Sequence, residues 1–226
     1  MKKYLLFAII AACISVIIPY KAYSVEISLG ATTCEAWIGR ALETGDNLVI
    51  GPAFLYGPVL AVKFNEYFDI TCVYTQGVFS EIPNLHDKMI MRDAQFAFGA
   101  GLNDYIKIIA GVRYMGFLFA DEKYIAYGPE LGLSATMPIV YKINIIASLT
   151  GFYLGGKITD GTLKEGYTEY GINGSLLLSY YIAPASVTVS IGRRLQYIKS
   201  DYYKRDTWIK SGFYGNMLTI TYSFDI

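Results

Sequence analysis

The chain is poor in the residues that usually carry chemistry. Among 226 residues there is one histidine, three cysteines and a formal net charge of zero. A single imidazole, His86, offers neither a multi-histidine metal set nor a second Asp–His pair. No GxSxG, HExxH, phosphate-loop or CxxC spacing occurs, so no catalytic residue, metal ligand or cofactor is assigned. Balanced charge gives no electrostatic case for nucleic acid. Charged residues make up only 17% of the chain, with no charge run, linker or low-complexity stretch to divide it. Beyond residue 24 no apolar run is long enough to span a bilayer as a helix.

What the chain does have is apolar and aromatic: 54% hydrophobic residues, 21 Tyr and 22 Gly. Such a composition suits a β-barrel with apolar residues toward lipid, Tyr at the interfaces and Gly where strands bend or pack closely. The first residues read as an export signal. Lys2 and Lys3 precede the apolar stretch Leu5 to Ile18, and Ala22-Tyr23-Ser24 supplies small residues for cleavage. The expected division is a signal peptide, 1–24, and one domain, 25–226. At about fourteen residues the stretch is short for a retained membrane helix. Ile10-Ala11-Ala12-Cys13 also spells a lipobox, which would lipidate Cys13. Cleavage there would leave apolar Ile14 to Ile18 where lipoproteins carry a polar tether, so Cys13 is read as part of the signal helix. Cys34 and Cys72 fall on the expected first and third strands, which are not neighbours, and no disulfide is expected.

The rest of the chain divides into alternating segments of about ten to sixteen residues. Tight connections lie at Asn65-Glu66, Asn103-Asp104, Pro138 to Tyr141 and Ala183-Pro184. Longer ones lie at Gly39 to Asn47, Glu81 to Met91, Ala120 to Lys123, Lys157 to Gly166 and Ser200 to Lys210. Short turns on one rim and long loops on the other predict an all-β, antiparallel up-and-down transmembrane barrel of about ten strands, with eight as the alternative. Both termini then fall on the periplasmic side. Two places resist. Thr33 to Ile38 can also open a short helix capped by Thr33, and Pro52 and Pro58 demand a bulge or a second strand starting after Leu48.

Three strands show their faces clearly. Ile125, Tyr127, Leu131, Leu133, Ala135 and Met137 oppose Ala126, Gly128, Glu130, Gly132, Ser134 and Thr136. Val187, Val189, Ile191, Leu195 and Tyr197 oppose Ser186, Thr188, Ser190, Gly192, Arg194 and Gln196, while Phe96 and Phe98 oppose Gln95, Ala97 and Gly99. The polar-or-small set is expected to line the lumen and the apolar set to meet lipid; a water-soluble barrel would invert this. Arg193 breaks the lipid face of its strand.

Inward positions then collect Lys63, Lys107, Arg113 and Arg194 against Asp69, Asp93, Glu130 and Glu169. Four charges of each sign form either a constriction that selects solutes or ion pairs that fill a narrow lumen, and a lumen of this strand number favours filling. The last long connection carries Tyr202, Tyr203, Lys204, Arg205, Trp208 and Lys210. Aromatics among cations suit a surface ligand, lipopolysaccharide or a host protein, and equally an interfacial belt. Gly99, Gly101, Gly155 and Gly156 are read as close backbone packing.

The final strand alternates without a fault. Leu218, Ile220, Tyr222, Phe224 and Ile226 face one way, and Thr219, Thr221, Ser223 and Asp225 the other. This resembles the C-terminal signal by which outer-membrane barrels are recognised for assembly, although that family usually ends on Phe. With the export signal and the strand pattern, the mature chain resembles the small outer-membrane barrels of the OmpX, Ail and OmpA-transmembrane-domain kind. The resemblance implies residence in outer-membrane lipid, the barrel-assembly machinery as a partner, and roles in envelope integrity or surface adhesion. A narrow pore for small solutes is the competing reading. A third, the omptin proteases, is resembled only in strand number and in His86-Asp87; lipid-modifying barrel enzymes would need a positioned nucleophile and base that the pattern does not locate.

Overall fold

The computed structural model describes residues 25–42, 47–79, 88–119, 122–160, 163–202 and 207–226. The expected signal segment, with Cys13, lies outside them. Ten strands form one closed antiparallel barrel: β1 (Glu26–Leu42), β2 (Asn47–Lys63), β3 (Phe68–Phe79), β4 (Met89–Gly101), β5 (Ile106–Phe119), β6 (Glu122–Val140), β7 (Ile143–Asp160), β8 (Leu163–Ile182), β9 (Val187–Tyr202) and β10 (Thr207–Asp225). Each strand pairs with its chain neighbours, and the whole of β1 closes the barrel against β10. Pairing runs around the whole barrel except at the loop-rim end of β2, where residues 47–55 pair with β1 and have no ladder with β3.

Both awkward places become strand. Thr33 to Ile38 continues β1, because Cys34, Ala36 and Ile38 are buried inward on alternate positions and the backbone pairs on both sides. A helix there would strip partners from β2 and β10. Pro52 sits at a bulge where Gly51 and Pro52 together oppose Trp37. Pro58 lies where the β2–β3 ladder lapses between Tyr56 and Val59.

One rim carries four tight turns together with Val25 and Ile226, the first and last described residues; we call it the turn rim. Two of its hairpins use the same device. The Asn65 Oδ1 accepts from the backbone N–H of Tyr67 and Phe68 at 2.8 and 2.9 Å, and the Asn103 Oδ1 accepts from Tyr105 and Ile106 at 2.9 and 2.8 Å. Lys142 (φ 71°) and Ser186 (φ 52°) turn the other two in the left-handed region. The opposite, loop rim differs from expectation. Much of the expected long connections at 120–123, 157–166 and 200–210 is strand, because polar outward residues such as Lys157 alternate with buried inward ones such as Ile158. Polarity of the outer face was the only loop-like feature of these segments. The longest interval between strands is 80–88.

Outside, the barrel is apolar. Leu131, Leu149, Ile172, Leu176, Ile191, Leu195 and Ile220 are all exposed. A band this large on a water-facing surface would be an aggregation site; around a closed barrel it is a lipid face. Tyrosines bound it on both sides. Tyr67, Tyr105, Tyr141, Tyr180 and Tyr222 lie toward the turn rim, and Tyr56, Tyr74, Tyr127, Tyr153, Tyr170, Tyr197 and Tyr214 toward the loop rim. These are the interfacial girdles of a transmembrane barrel. Leu218, Ile220, Tyr222 and Phe224 belong to this outer face, and Ile226 is exposed at the chain end. Beyond the second girdle the strands continue toward the loop rim, as in Leu154 to Asp160 of β7.

Candidate functional site

The lumen has three tiers, each set by the inward residues of the strands at that height. The tier at the loop side is apolar. Ile38, Ile50, Phe79, Met89, Met91, Met115, Leu154, Ile158, Tyr167 and Ile198 are almost fully buried inside the barrel. Phe117 stacks on Phe213 with ring centroids 6.1 Å apart, and Tyr167 stacks on Tyr202 at 5.5 Å. Gly156 makes room for Tyr167: a Cβ there would come within 2.4 Å of the ring. Each buried large side chain contributes on the order of 2 kcal/mol. This overturns the expectation of a polar-or-small lumen in the loop-side half. The strands here carry apolar residues on both faces, one set for lipid and one for the core.

Just beneath lies the ionic tier. Arg113 grips Asp93 with two hydrogen bonds, Nε to Oδ1 at 3.1 Å and Nη2 to Oδ2 at 2.6 Å. Arg194 donates to the same Asp93 carboxylate from across the lumen, to Asn173 Oδ1 at 2.8 Å and to Gln196 Oε1 at 3.1 Å. Glu130 Oε1 stands 3.7 Å from Arg113 Nη1, and the Arg113 guanidinium lies over the Phe152 ring at 4.9 Å. Nearer the loop rim, at the level of Leu154 in the apolar tier, Ser200 donates to Glu169 at 3.1 Å. Burial away from water strengthens these contacts and makes each partner costly to remove. The cluster pins strands β4, β5, β6, β8 and β9 to one another through the centre of the barrel.

The third tier, toward the turn rim, is lined by short hydroxyls paired across strands. Ser28 pairs with Ser223 at 2.7 Å, Thr32 with Thr219 at 2.8 Å, Ser148 with Ser175 at 2.8 Å and Ser190 with Ser179 at 3.1 Å. Small side chains leave this end open, and a cavity of about 760 Å³ at its mouth is lined by Glu26, Lys63, Asn144, Ser179 and Asp225 among others.

The structure therefore divides the predicted charge set. Asp93, Arg113, Glu130 and Arg194 meet in one cluster, whereas Glu169 stands nearer the loop rim, in register with Leu154 and Ser200. Lys107 pairs with Asp69 near the turn rim. Lys63 is exposed at the cavity mouth, and among the described residues it forms no ion pair. The predicted surface loop is divided too. Tyr202 is a correction: it points inward and is buried against Tyr167, because it continues the inward series of Gln196, Ile198 and Ser200. Tyr203, Lys204 and Arg205 lie outside the described residues. Trp208 enters β10 opposite Asp201, and Lys210 follows opposite Lys199. His86 and Asp87 also lie outside the described residues. Cys34 and Cys72 are free. Gly99 and Gly101 do sit at close approaches, against Asp69 and Tyr67, whereas Gly155 has nothing within 4 Å of a built Cβ.

Sequence reasoning missed the apolar tier. Its trace is the doubled apolar runs at the loop-side ends of strands, such as Met89-Ile90-Met91 and Phe117-Leu118-Phe119.

No protein-family model matches this sequence, and no curated protein matches it. Among solved structures the barrel is similar to the outer membrane protease OmpT from Escherichia coli, with a TM-score of 0.61 at 9% identity, over 92% of this chain and 99% of that one. Looser superpositions include the translocator domain of the autotransporter NalP from Neisseria meningitidis (TM-score 0.45, 10% identity, 98% and 96% covered). The attachment invasion locus protein Ail of Yersinia pestis is another (0.37, 15%, 89% and 98%). At such identities the likeness is one of fold: the chain has the fold of an outer-membrane β-barrel.

Proposed function

We propose that this protein is an integral barrel of the bacterial outer membrane with a closed lumen and a structural or surface-interaction role in adhesion or envelope integrity. The observation that carries the reading is the stack of an ionic cluster under an apolar core, whose side chains are almost fully buried inside the barrel. The turn rim, with Val25 and Ile226, faces the periplasm, and the loop rim faces outward to meet lipopolysaccharide or a host surface. The outward face of β10 would serve the assembly machinery, and outer-membrane lipid contacts the apolar band. Proteolysis of intact cells tests the orientation. Cleavage is expected within 80–88 or another loop-rim connection, and the folded barrel should migrate differently from the boiled chain on a gel. Cleavage at the turns near Asn65 or Asn103 would overturn it.

A narrow pore is the second reading. It is favoured by Arg113 Nη1 and both Glu130 carboxylate oxygens, which are buried without a hydrogen-bond partner and would be hydrated by a thread of water. A surface enzyme is the third, drawn from the fold shared with the protease. It would rest on His86, so His86→Ala should leave any hydrolytic activity of the purified barrel unchanged under our reading; a loss of activity would favour the enzyme.

A further inference from the structure

Among the described residues the lipid face carries one polar interruption at mid-strand. Along β9 the outward residues run Val187, Val189, Ile191, Arg193, Leu195, Tyr197, so Arg193 sits between apolar neighbours on both sides. It is exposed, paired in register with Asn216 of β10, which is paired in turn with Glu35 of β1. Asn216 Nδ2 donates to Glu35 Oε2 at 3.1 Å on the outer surface. Among the described residues Arg193 has no ion pair. An arginine facing hydrocarbon is costly and calls for a partner.

The row extends to Leu176 of β8 on one side and Phe54 of β2 on the other, both exposed. It therefore reads apolar, cation, amide, anion, apolar, and its reverse is its electrostatic complement. A groove of about 610 Å³ lies over it, bounded by Ile191 and Leu218 as well. Two copies facing each other across a two-fold axis along the membrane normal bring each strand against its mirror in that order. Asn216 then meets the partner's Asn216 on the axis, and Arg193 meets the partner's Glu35. Strand tilt places Glu35 nearer the loop rim than Arg193: the line of paired residues leaving Ile191 climbs to Lys157 near that rim of β7. The long arginine side chain spans that offset.

We infer that the β9–β10–β1 face is a self-complementary interface, and that the occupant of the groove is a second copy of this chain. A lipid phosphate would satisfy Arg193 and be repelled by Glu35, whereas the second copy satisfies all three polar side chains.

The test places a cysteine on the predicted axis. In membranes carrying Cys34→Ala and Cys72→Ser, Asn216→Cys should form a disulfide-linked dimer on mild oxidation. Val112→Cys on the far side of the barrel, also exposed, should give at least tenfold less. Glu35→Arg alone and Arg193→Glu alone should each yield monomers by analytical ultracentrifugation in detergent, and the two together should restore the dimer. Folding of each variant is followed by its heat-modifiable mobility. Cross-linking at 216 no greater than at 112 would overturn the interface, whatever the charge variants do. Failure of the double exchange to restore the dimer, with both barrels folded, would overturn the pairing of Arg193 with Glu35 and leave the lipid phosphate as occupant.

Discussion

The two halves of the lumen solve the same packing problem with opposite chemistry. Toward the loop rim the interior is closed by large apolar side chains, Phe79, Met115, Leu154 and Ile198 among them, as in a water-soluble barrel. Toward the turn rim it is lined by serine and threonine pairs and stays open. The boundary between them is the Asp93–Arg113–Arg194 cluster. One half is packed as a core and the other is left small-sided. The apolar tier begins at the level of the loop-side girdle, where Tyr153 faces outward and Leu154 inward on successive positions. There the strands leave lipid, and an apolar interior drives burial as it does in any protein core.

Substitutions at the two ends and at the boundary should therefore differ in size. Arg113→Met should be the most damaging, because it leaves Asp93 short of one partner and Glu130 buried without its cation. Unfolding in detergent micelles should show a loss of about 3–5 kcal/mol, and a loss below about 1 kcal/mol would remove the cluster from the account of stability. Leu154→Ala in the apolar half should cost about 2–5 kcal/mol through the cavity it leaves. Were it as mild as a surface change, the loop-side half would not be a packed core. Ser179→Ala in the hydroxyl half should cost only about 0.5–1.5 kcal/mol, one hydrogen bond to Ser190. A penalty equal to that of Leu154→Ala would erase the distinction between the halves.

The sequence made the strands legible wherever one face was polar. Ile125 to Met137 and Ser186 to Tyr197 alternate as expected, since lumen-facing Glu130, Ser134, Ser190 and Gln196 contrast with lipid-facing leucine and tyrosine. The charges of the ionic tier were legible for the same reason, because an inward Asp or Arg stands out in an apolar strand. Where both faces are apolar the alternation vanishes, and Met89-Ile90-Met91 says nothing about which side is lipid and which is core. Tyr202 was misplaced for a related reason: aromatic and charged neighbours make Ser200 to Lys210 look like a loop, although β9 continues through Tyr202. Pairing across strands, which decides both cases, is not written in local composition.

Conductance across planar lipid bilayers is the most direct test of the closed lumen. The purified, folded barrel should insert and give no unitary current steps above background. Steady steps of uniform size, altered in ion selectivity by Arg113→Glu, would contradict it and make the ionic tier the selectivity constriction of a narrow pore.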